Sequence, residues 1–277
     1  LLIKFIEVSG EVQINCEIVR HSELAETVVG KLLKAYQNIN EFYKISKLIA
    51  IDKTLSINSG GNMSYKEADK LIVTASGIDF SEVSPQAGYV VCKRGSLEKV
   101  FKSAHRPSME ARIHDIMGSS VLHTHPVYLN VFLCCLEAEK YIEFIRESLE
   151  LEQRVVCKEY VNPGEELFKQ LEEEQQYDVV FLKNHGLFVS ADSLSESYDL
   201  TKKINQKCKK ILNKLNPSFV QYEEYDTYSK IDHLFPDSAI YEEQNRVLNY
   251  YVYENIINSN LTPNFISREN IVNLKNM

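Results

Sequence analysis

Apolar and polar positions alternate at the start of the chain and predict strands over 2–8 and 11–19, with Val12, Ile14, Cys16 and Ile18 on one side and a turn at Ser9–Gly10. The period then lengthens. Ser22 reads as an N-cap for a helix over 23–37 with Leu24, Val28, Leu32 and Ala35 on one face, and a second helical stretch is expected over 41–50, leading into the loop SINSGGNMS. Short strands follow at 71–75, 88–92, 119–125 and 178–183, interleaved with helices at 108–116, 127–135, 142–151 and 164–175. A long helix over 193–215 turns Leu194, Ser197, Leu200, Ile204, Cys208 and Ile211 inward. Strands and helices mix without strict βαβ alternation, so the pattern predicts an α/β domain in which helices flank a largely antiparallel sheet. After Pro217 the texture becomes Tyr- and Asn-rich (NRVLNYYVYENIINSN). A soft boundary near 216 therefore separates a main domain, 1–215, from an extension, 216–277, expected to pack on the body or on a neighbouring subunit.

Composition narrows the partners. The 277 residues carry 31 basic and 39 acidic side chains, a net charge of −8, and 44% hydrophobic residues. Such a chain can bury a substantial core, and its acidic balance argues against nucleic acid or an anionic membrane as the main partner. No apolar run reaches 18 residues, and LLIKFIEVSGEVQ is broken by Lys4, Glu7 and Glu11, unlike a signal peptide. Six cysteines without CxxC spacing read as reduced thiols, and the expected location is the cytoplasm.

Of seven histidines, three stand out. His123 and His125 lie in SSVLHTHP, an apolar strand ending at Pro126; residues at i and i+2 share a strand face, so both imidazoles can reach one metal ion. His185 interrupts another apolar stretch, DVVFLKNHGLFV, beside Gly186, which permits a turn or a close backbone approach. Taken singly, His-x-His is chance and Asn-His-Gly a hairpin turn. Together, three imidazoles without a thiolate suit Zn²⁺ or another divalent ion with an open coordination position. In HRPSMEARIH, Pro107 and Ser108 read as a helix start with Glu110 in the first turn, where an isolated acid is ordinarily a helix-dipole partner. His114, four residues on, is expected to pack or orient its neighbours rather than bind metal. The loops SGGNMS and TASG are small, polar and Gly-containing, suited to an anion but without P-loop or dinucleotide spacing.

In order, SGGNMS, TASG, PSME, HTHP, YVNPGEEL and KNHGLFV resemble the class II aldolase/adducin family over about residues 25–212. The resemblance implies a three-layer α/β/α domain around a mostly antiparallel sheet, zinc on His123, His125 and His185, Glu110 as general acid/base, and a substrate phosphate held by Asn62, Ser76, Gly77 and Ser108. It further implies a homotetramer with sites between subunits. The segment HLFPDSAIY looks like that of longer members, in which Pro-Asp follows the core.

The implied activity is metal-dependent cleavage of a ketose 1-phosphate of the fuculose or rhamnulose type to dihydroxyacetone phosphate and an aldehyde. Alternatives within the family are a pentulose-phosphate 4-epimerase, whose members carry Asp where Glu110 stands, and a methylthioribulose-phosphate dehydratase. A binding module like the adducin head domain would lack the three histidines. Members of the fuculose type often place two serines before the catalytic Glu, whereas this chain has Ser108 and then Met109, which offers a phosphate no hydroxyl. A second proton donor is sought among Tyr222, Tyr225, Tyr228 and Tyr241.

Overall fold

The computed structural model describes residues 2–8, 11–17, 23–57, 60–172 and 177–277, and among them the side chains of 2–8, 11–17, 23–29, 31 and 223 lie outside the description. The chain divides into two compact units, Leu1–Asn38 and Ile39–Met277. In the first, β1 (Leu2–Val8) and β2 (Glu11–Glu17) form an antiparallel hairpin with Phe5 opposite Ile14. The strand expected to reach 19 ends at Glu17; residues 18–19 and the Ser22 cap lie outside the described residues. The two helices expected over 23–37 and 41–50 are one, α1 (Glu23–Ile51). Asn38 and Asn40 are weak helix formers, but a low propensity costs only tenths of a kcal/mol per residue, and Phe42, Ile45 and Ile49 continue the 3–4 spacing into a fully packed face. Leu32, expected on the apolar face, is 43% exposed.

The larger unit is built on a seven-stranded sheet. Its strands are β3 (Asn62–Glu67), β4 (Lys70–Thr74), β5 (Tyr89–Lys93), β6 (Ser120–Thr124), β7 (Val155–Lys158), β8 (Val179–Leu182) and β9 (Gly186–Ala191). They run in the order β5-β4-β3-β6-β9-β8-β7, antiparallel throughout except for the β7–β8 edge. Between and after them come α2 (Ala111–Ile116), α3 (Val127–Leu133), α4 (Ala138–Ser148), α5 (Glu165–Glu172), α6 (Leu194–Leu215), α7 (Pro236–Ile240), α8 (Glu242–Asn258) and α9 (Arg268–Lys275).

Period-2 alternation assigns the two faces. Leu122, Leu187, Val189, Val179 and Phe181 point to one side, against α3, α4, α6 and α8, while the second half of α1 covers Met63, Tyr65 and Ile72 there. Val121, Phe188, Val180 and Leu182 point to the other, against Ile113 of α2 and Leu167, Phe168 and Leu171 of α5. The result is the three-layer α/β/α arrangement with a mostly antiparallel sheet. Burying each large side chain here contributes roughly 1.5–3 kcal/mol, so cutting Phe188 to Ala would cost about 3–5 kcal/mol.

Several elements differ from the sequence pattern. The segment over 178–191 is a hairpin, β8 and β9, joined at Lys183-Asn184-His185, and β3 and β7 are strands that the pattern does not predict. The helix expected from 108 begins at Ala111, because Ala75 bridges Pro107 and Ser108 N–H donates to Thr74 O at 3.1 Å, holding 107–108 beside the end of β4. Glu110 is thus the residue before α2, not a member of its first turn. The long helix starts at Leu194, where Ser193 and Glu196 form a reciprocal capping box. Residues after 216 share the main core: Leu234, Phe235, Leu248, Tyr251 and Val252 are buried in the same cluster as α3 and α6. The five cysteines with described side chains are free thiols.

Candidate active site

The site forms on the sheet face that carries α2, at the end of β6. His123 lies on β6 directly opposite Asn62 of β3 and Phe188 of β9, so the register aims all three side chains the same way. The His123 ring stacks on Phe188 with centroids 4.0 Å apart, and its Nδ1 donates to Leu187 O at 3.0 Å. His125, one residue beyond the strand, projects to the same side; its Nδ1 meets Asp237 Oδ2 at 2.5 Å. His185 enters from the β8–β9 turn, where Asn184 takes the left-handed conformation (φ 55°) that asparagine tolerates. Both readings of Asn-His-Gly therefore hold at once: it is a hairpin turn, and it delivers an imidazole.

All three histidines are buried, and their ligand atoms lie within 4.8 Å of one another. His125 Nε2 is 3.0 Å from His123 Nε2. With both Nδ1 atoms committed to acceptors, neutral rings would point two lone pairs at each other, a contact relieved only by a proton or a cation between them. Glu110 closes the group, its Oε2 3.4 Å from His123 Nε2 and its Oε1 3.6 Å from His185 Nε2. That Oε1 and His185 Nδ1 are buried without a hydrogen-bond partner among the described residues. Three imidazole nitrogens, a carboxylate and orphaned polar atoms at one point fit a divalent cation: ligand atoms held about 2.0 Å from zinc in a tetrahedron stand about 3.3 Å apart, within the spread seen here.

Burial dominates the electrostatics. It pushes the Glu110 carboxyl up to about 7, against the pull of the Asn62 hydrogen bond and of His125. It draws His185 down to about 3, reinforced by His125, and holds His123 well below the usual imidazole range, helped by both neighbours. His125 is the exception: burial lowers it, yet the Asp237 carboxylate outweighs that and the net shift is upward. Asp237 is correspondingly depressed, its own burial being overcome by His125. The two shifts agree on an ion-paired His125–Asp237 couple. A cation bound beside Glu110 would return its carboxyl toward the ionised form.

Above the histidines lies a cavity of about 150 Å³ lined by Asn62, Ser76, Gly77, Ser108, Met109, Glu110, His125 and His185. The structure thus brings seven of the eight residues singled out from the sequence to one cavity wall and buries His123 beside them. Ser76 and Gly77 make the turn after β4, where Ser76 N–H is spent on Arg106 O at 2.8 Å, so only its hydroxyl and the Gly77 turn remain for a ligand. The Ser108 hydroxyl accepts from Glu110 N at 3.3 Å. Two glycines keep the site open. A Cβ on Gly60 would lie 2.6 Å from Asp237 Oδ2 and 2.9 Å from His125 Nδ1; one on Gly186 would lie 2.8 Å from His125 Cδ2.

Sequence reasoning does not find Asp237. It belongs to the Pro-Asp of α7, in the segment HLFPDSAIY, whose resemblance to longer family members assigns the acid no role. Asn184 anchors that segment, its Nδ2 donating to Leu234 O at 2.8 Å and its Oδ1 accepting from Asn264 Nδ2 at 2.8 Å. Of the four tyrosines considered as the second proton donor, Tyr241 lines the cavity. Tyr222 and Tyr225 pack against Tyr251, and Tyr228 lies against Arg246.

Residues 40–212 match the model of the class II aldolase and adducin N-terminal domain, and the chain belongs to that family. It is 23% identical over 172 residues to an L-fuculose phosphate aldolase of Methanococcus maripaludis, covering 61% of this chain and 93% of the relative. Over 189 residues it is 26% identical to the L-fuculose phosphate aldolase of Methanococcus vannielii, 66% of this chain and 98% of the relative. Among solved structures, a sugar-phosphate aldolase from Thermotoga maritima superposes with a TM-score of 0.59 at 17% identity, over 68% of this chain and 99% of its own. An aldolase II superfamily protein from Pseudomonas syringae reaches 87% of this chain and 83% of its own, at 14% identity and a TM-score of 0.52. The family relation covers the sheet, the three histidines and Glu110; Asp237 and Tyr241 lie beyond the matched residues. No helix among the described residues is long and apolar enough to cross a membrane.

Proposed function

We propose that the protein is a metal-dependent aldolase that cleaves or forms the C3–C4 bond of a ketose 1-phosphate, with dihydroxyacetone phosphate and an aldehyde as the two halves. The observation that carries this reading is the convergence of His123, His125 and His185 with the orphaned Glu110 Oε1 at the floor of one cavity. Zinc is the ion that three imidazole ligands suit best. When bound, it supplies a Lewis acid for the charge that develops on the substrate's oxygens.

The chain's own residues do the rest. In the cleavage direction the C3–C4 bond breaks with its electron pair left on C3, the C4 hydroxyl loses a proton as the carbonyl forms, and C3 gains a proton in the product. Glu110, buried at the cavity wall between His123 and His185, is the group placed to take up or return that proton, with burial favouring its protonated form and a bound cation its ionised one. Tyr241, at the cavity wall, is the candidate for the proton of the C4 hydroxyl. Asn62, the Ser76 and Ser108 hydroxyls and the Gly77 turn are the candidates for the phosphate, with Met109 narrowing the wall where a second hydroxyl would stand. A homotetramer working in the cytoplasm belongs to the same reading.

The test is a panel of ketose 1-phosphates, fuculose and rhamnulose 1-phosphates among them, with released dihydroxyacetone phosphate measured enzymatically. Glu110→Gln should keep the metal and lose on the order of 10²- to 10⁴-fold in turnover. Unchanged turnover in that variant would reduce Glu110 to a helix-start residue.

A further inference from the structure

From Asn62 at the cavity wall, a chain of buried hydrogen bonds runs behind Glu110 to His114 and Ser64, two residues that no step of the proposed cleavage uses. Asn62 Nδ2 meets Glu110 Oε2 at 2.7 Å; Asn62 Oδ1 meets His114 Nε2; His114 Nδ1 meets Ser64 Oγ at 2.8 Å. Ser64 and His114 are completely buried, and Asn62 is 7% exposed. The four residues interlock because two periods match. Glu110 and His114 are four apart at the start of a helix, a rise of about 6 Å. Asn62 and Ser64 are two apart on one strand face, a rise of about 6.6 Å.

The direction of this chain can be worked out. A neutral imidazole has one donor and one acceptor nitrogen, and an amide has a donor end and an acceptor end. Burial draws His114 down to about 3, so the ring is neutral near pH 7. Run one way, the Ser64 hydroxyl donates to Nδ1, Nε2–H donates to Asn62 Oδ1, and Asn62 Nδ2 donates to Glu110 Oε2. Run the other way, His114 Nδ1–H donates to Ser64, whose own proton then has no acceptor among the described residues, and Glu110 must carry its proton on Oε2 to meet the Asn62 carbonyl. A stranded buried hydroxyl is the costlier arrangement, so the first direction is selected.

We propose that His114, set by Ser64, is a positioning residue that locks the Asn62 amide with its nitrogen on Oε2 of Glu110, leaving Oε1 as the atom that exchanges protons with the substrate. The assignment of Oε1 rests on the aldolase reading; the lock itself does not. Removing His114 frees the amide to turn its carbonyl toward the carboxylate, which repels Glu110 from its place and leaves His123, His125 and His185 as they are.

Two readouts test this separately. In zinc-loaded wild-type protein with ¹⁵N-labelled histidine, long-range proton–nitrogen correlations report each ring's tautomer, and His114 is identified by its absence in His114→Gln. The Nε2–H tautomer is expected, with the Nδ1 signal moved by Ser64→Ala; an Nδ1–H tautomer would overturn the lock. In turnover, His114→Leu should lower kcat on the order of 10- to 100-fold with zinc content and KM little changed, as a misplaced catalytic group does. His114→Gln, which can still donate to Asn62, should recover most of the loss, and His114→Leu in an Asn62→Ala background should add little. Additive losses, or equal loss in the Gln and Leu variants, would overturn the proposal. If wild-type protein cleaves no ketose 1-phosphate, the aldolase reading fails, and the tautomer still decides whether the lock exists.

Discussion

At the scale of single residues, the site is governed by which nitrogen of each histidine is spoken for. His123 and His125 each commit Nδ1 to a fixed acceptor, Leu187 O and Asp237, and so present Nε2 to the common point. Spacing makes the first half of this readable, because His-x-His on an apolar strand by itself states a shared face. It cannot reveal Asp237, whose 112-residue separation from His125 is closed only by the fold. Nor does it single out Ser64, although Asn-x-Ser on a strand and Glu-x-x-x-His at a helix start are short, visible patterns. Glu110 is legible through family resemblance, but its expected place in the first helical turn is wrong, because the β-like pairing of Pro107 and Ser108 with β4 delays α2 to Ala111. Asp237→Asn keeps the shape but removes the charge that orients His125. It should weaken zinc binding roughly 10- to 100-fold in competition with a chromophoric chelator. An unchanged affinity would leave Asp237 as packing alone.

At the scale of elements, three short connections do the positioning: the end of β6, the β8–β9 turn and the entry to α7. β4, β5, β6 and β8 are foreseeable from their apolar runs, whereas β3, read as part of the loop SINSGGNMS, is hidden among polar residues, and β7, four half-buried residues at the sheet edge, gives too short a run to register. The continuity of α1 is likewise hidden, since Asn38 and Asn40 look like a boundary and tertiary packing decides otherwise. Through Asn184 the β8–β9 turn holds Leu234, two residues before α7, so the turn that carries His185 also anchors the entry to the helix that carries Asp237. Asn184→Gly retains the left-handed turn and loses these hydrogen bonds. It should cost roughly 1–3 kcal/mol in urea unfolding and speed hydrogen exchange in 234–241. Unaltered exchange there would mean that α7 is held by Leu234 and Phe235 burial instead.

At the scale of the whole molecule, the larger unit stores several neutral imidazoles in a core that must be opened before they can take up protons. His114 is the cleanest of these, since it is not one of the three histidines whose nitrogens converge at the cavity. Its pKa falls from 6.5 to about 3 on folding, so between those values the unfolded chain binds a proton that the folded one does not. Stability therefore falls as pH drops from about 6.5 toward 3, by roughly 1.4 kcal/mol per pH unit for this one group. In metal-free protein, the stability of His114→Gln should fall less steeply over that range, by the equivalent of about one proton. Parallel curves for wild type and variant would show that His114 titrates freely in the folded protein. The residues after 216 share the main core yet lie beyond the family match, and they supply Asp237 and Tyr241 to the cavity. On this account the extension is part of the working site.

The most direct measurement of the central claim is a zinc titration of cleavage. Protein stripped of metal, with its content verified by elemental analysis, is supplied with increasing zinc while release of dihydroxyacetone phosphate from ketose 1-phosphates is followed. The account predicts no cleavage without metal, a rise that breaks at about one zinc per chain as expected for a single three-histidine site, and no rise in His123→Ala. Full cleavage by the metal-free protein, or the same zinc-dependent rise in His123→Ala, would contradict it.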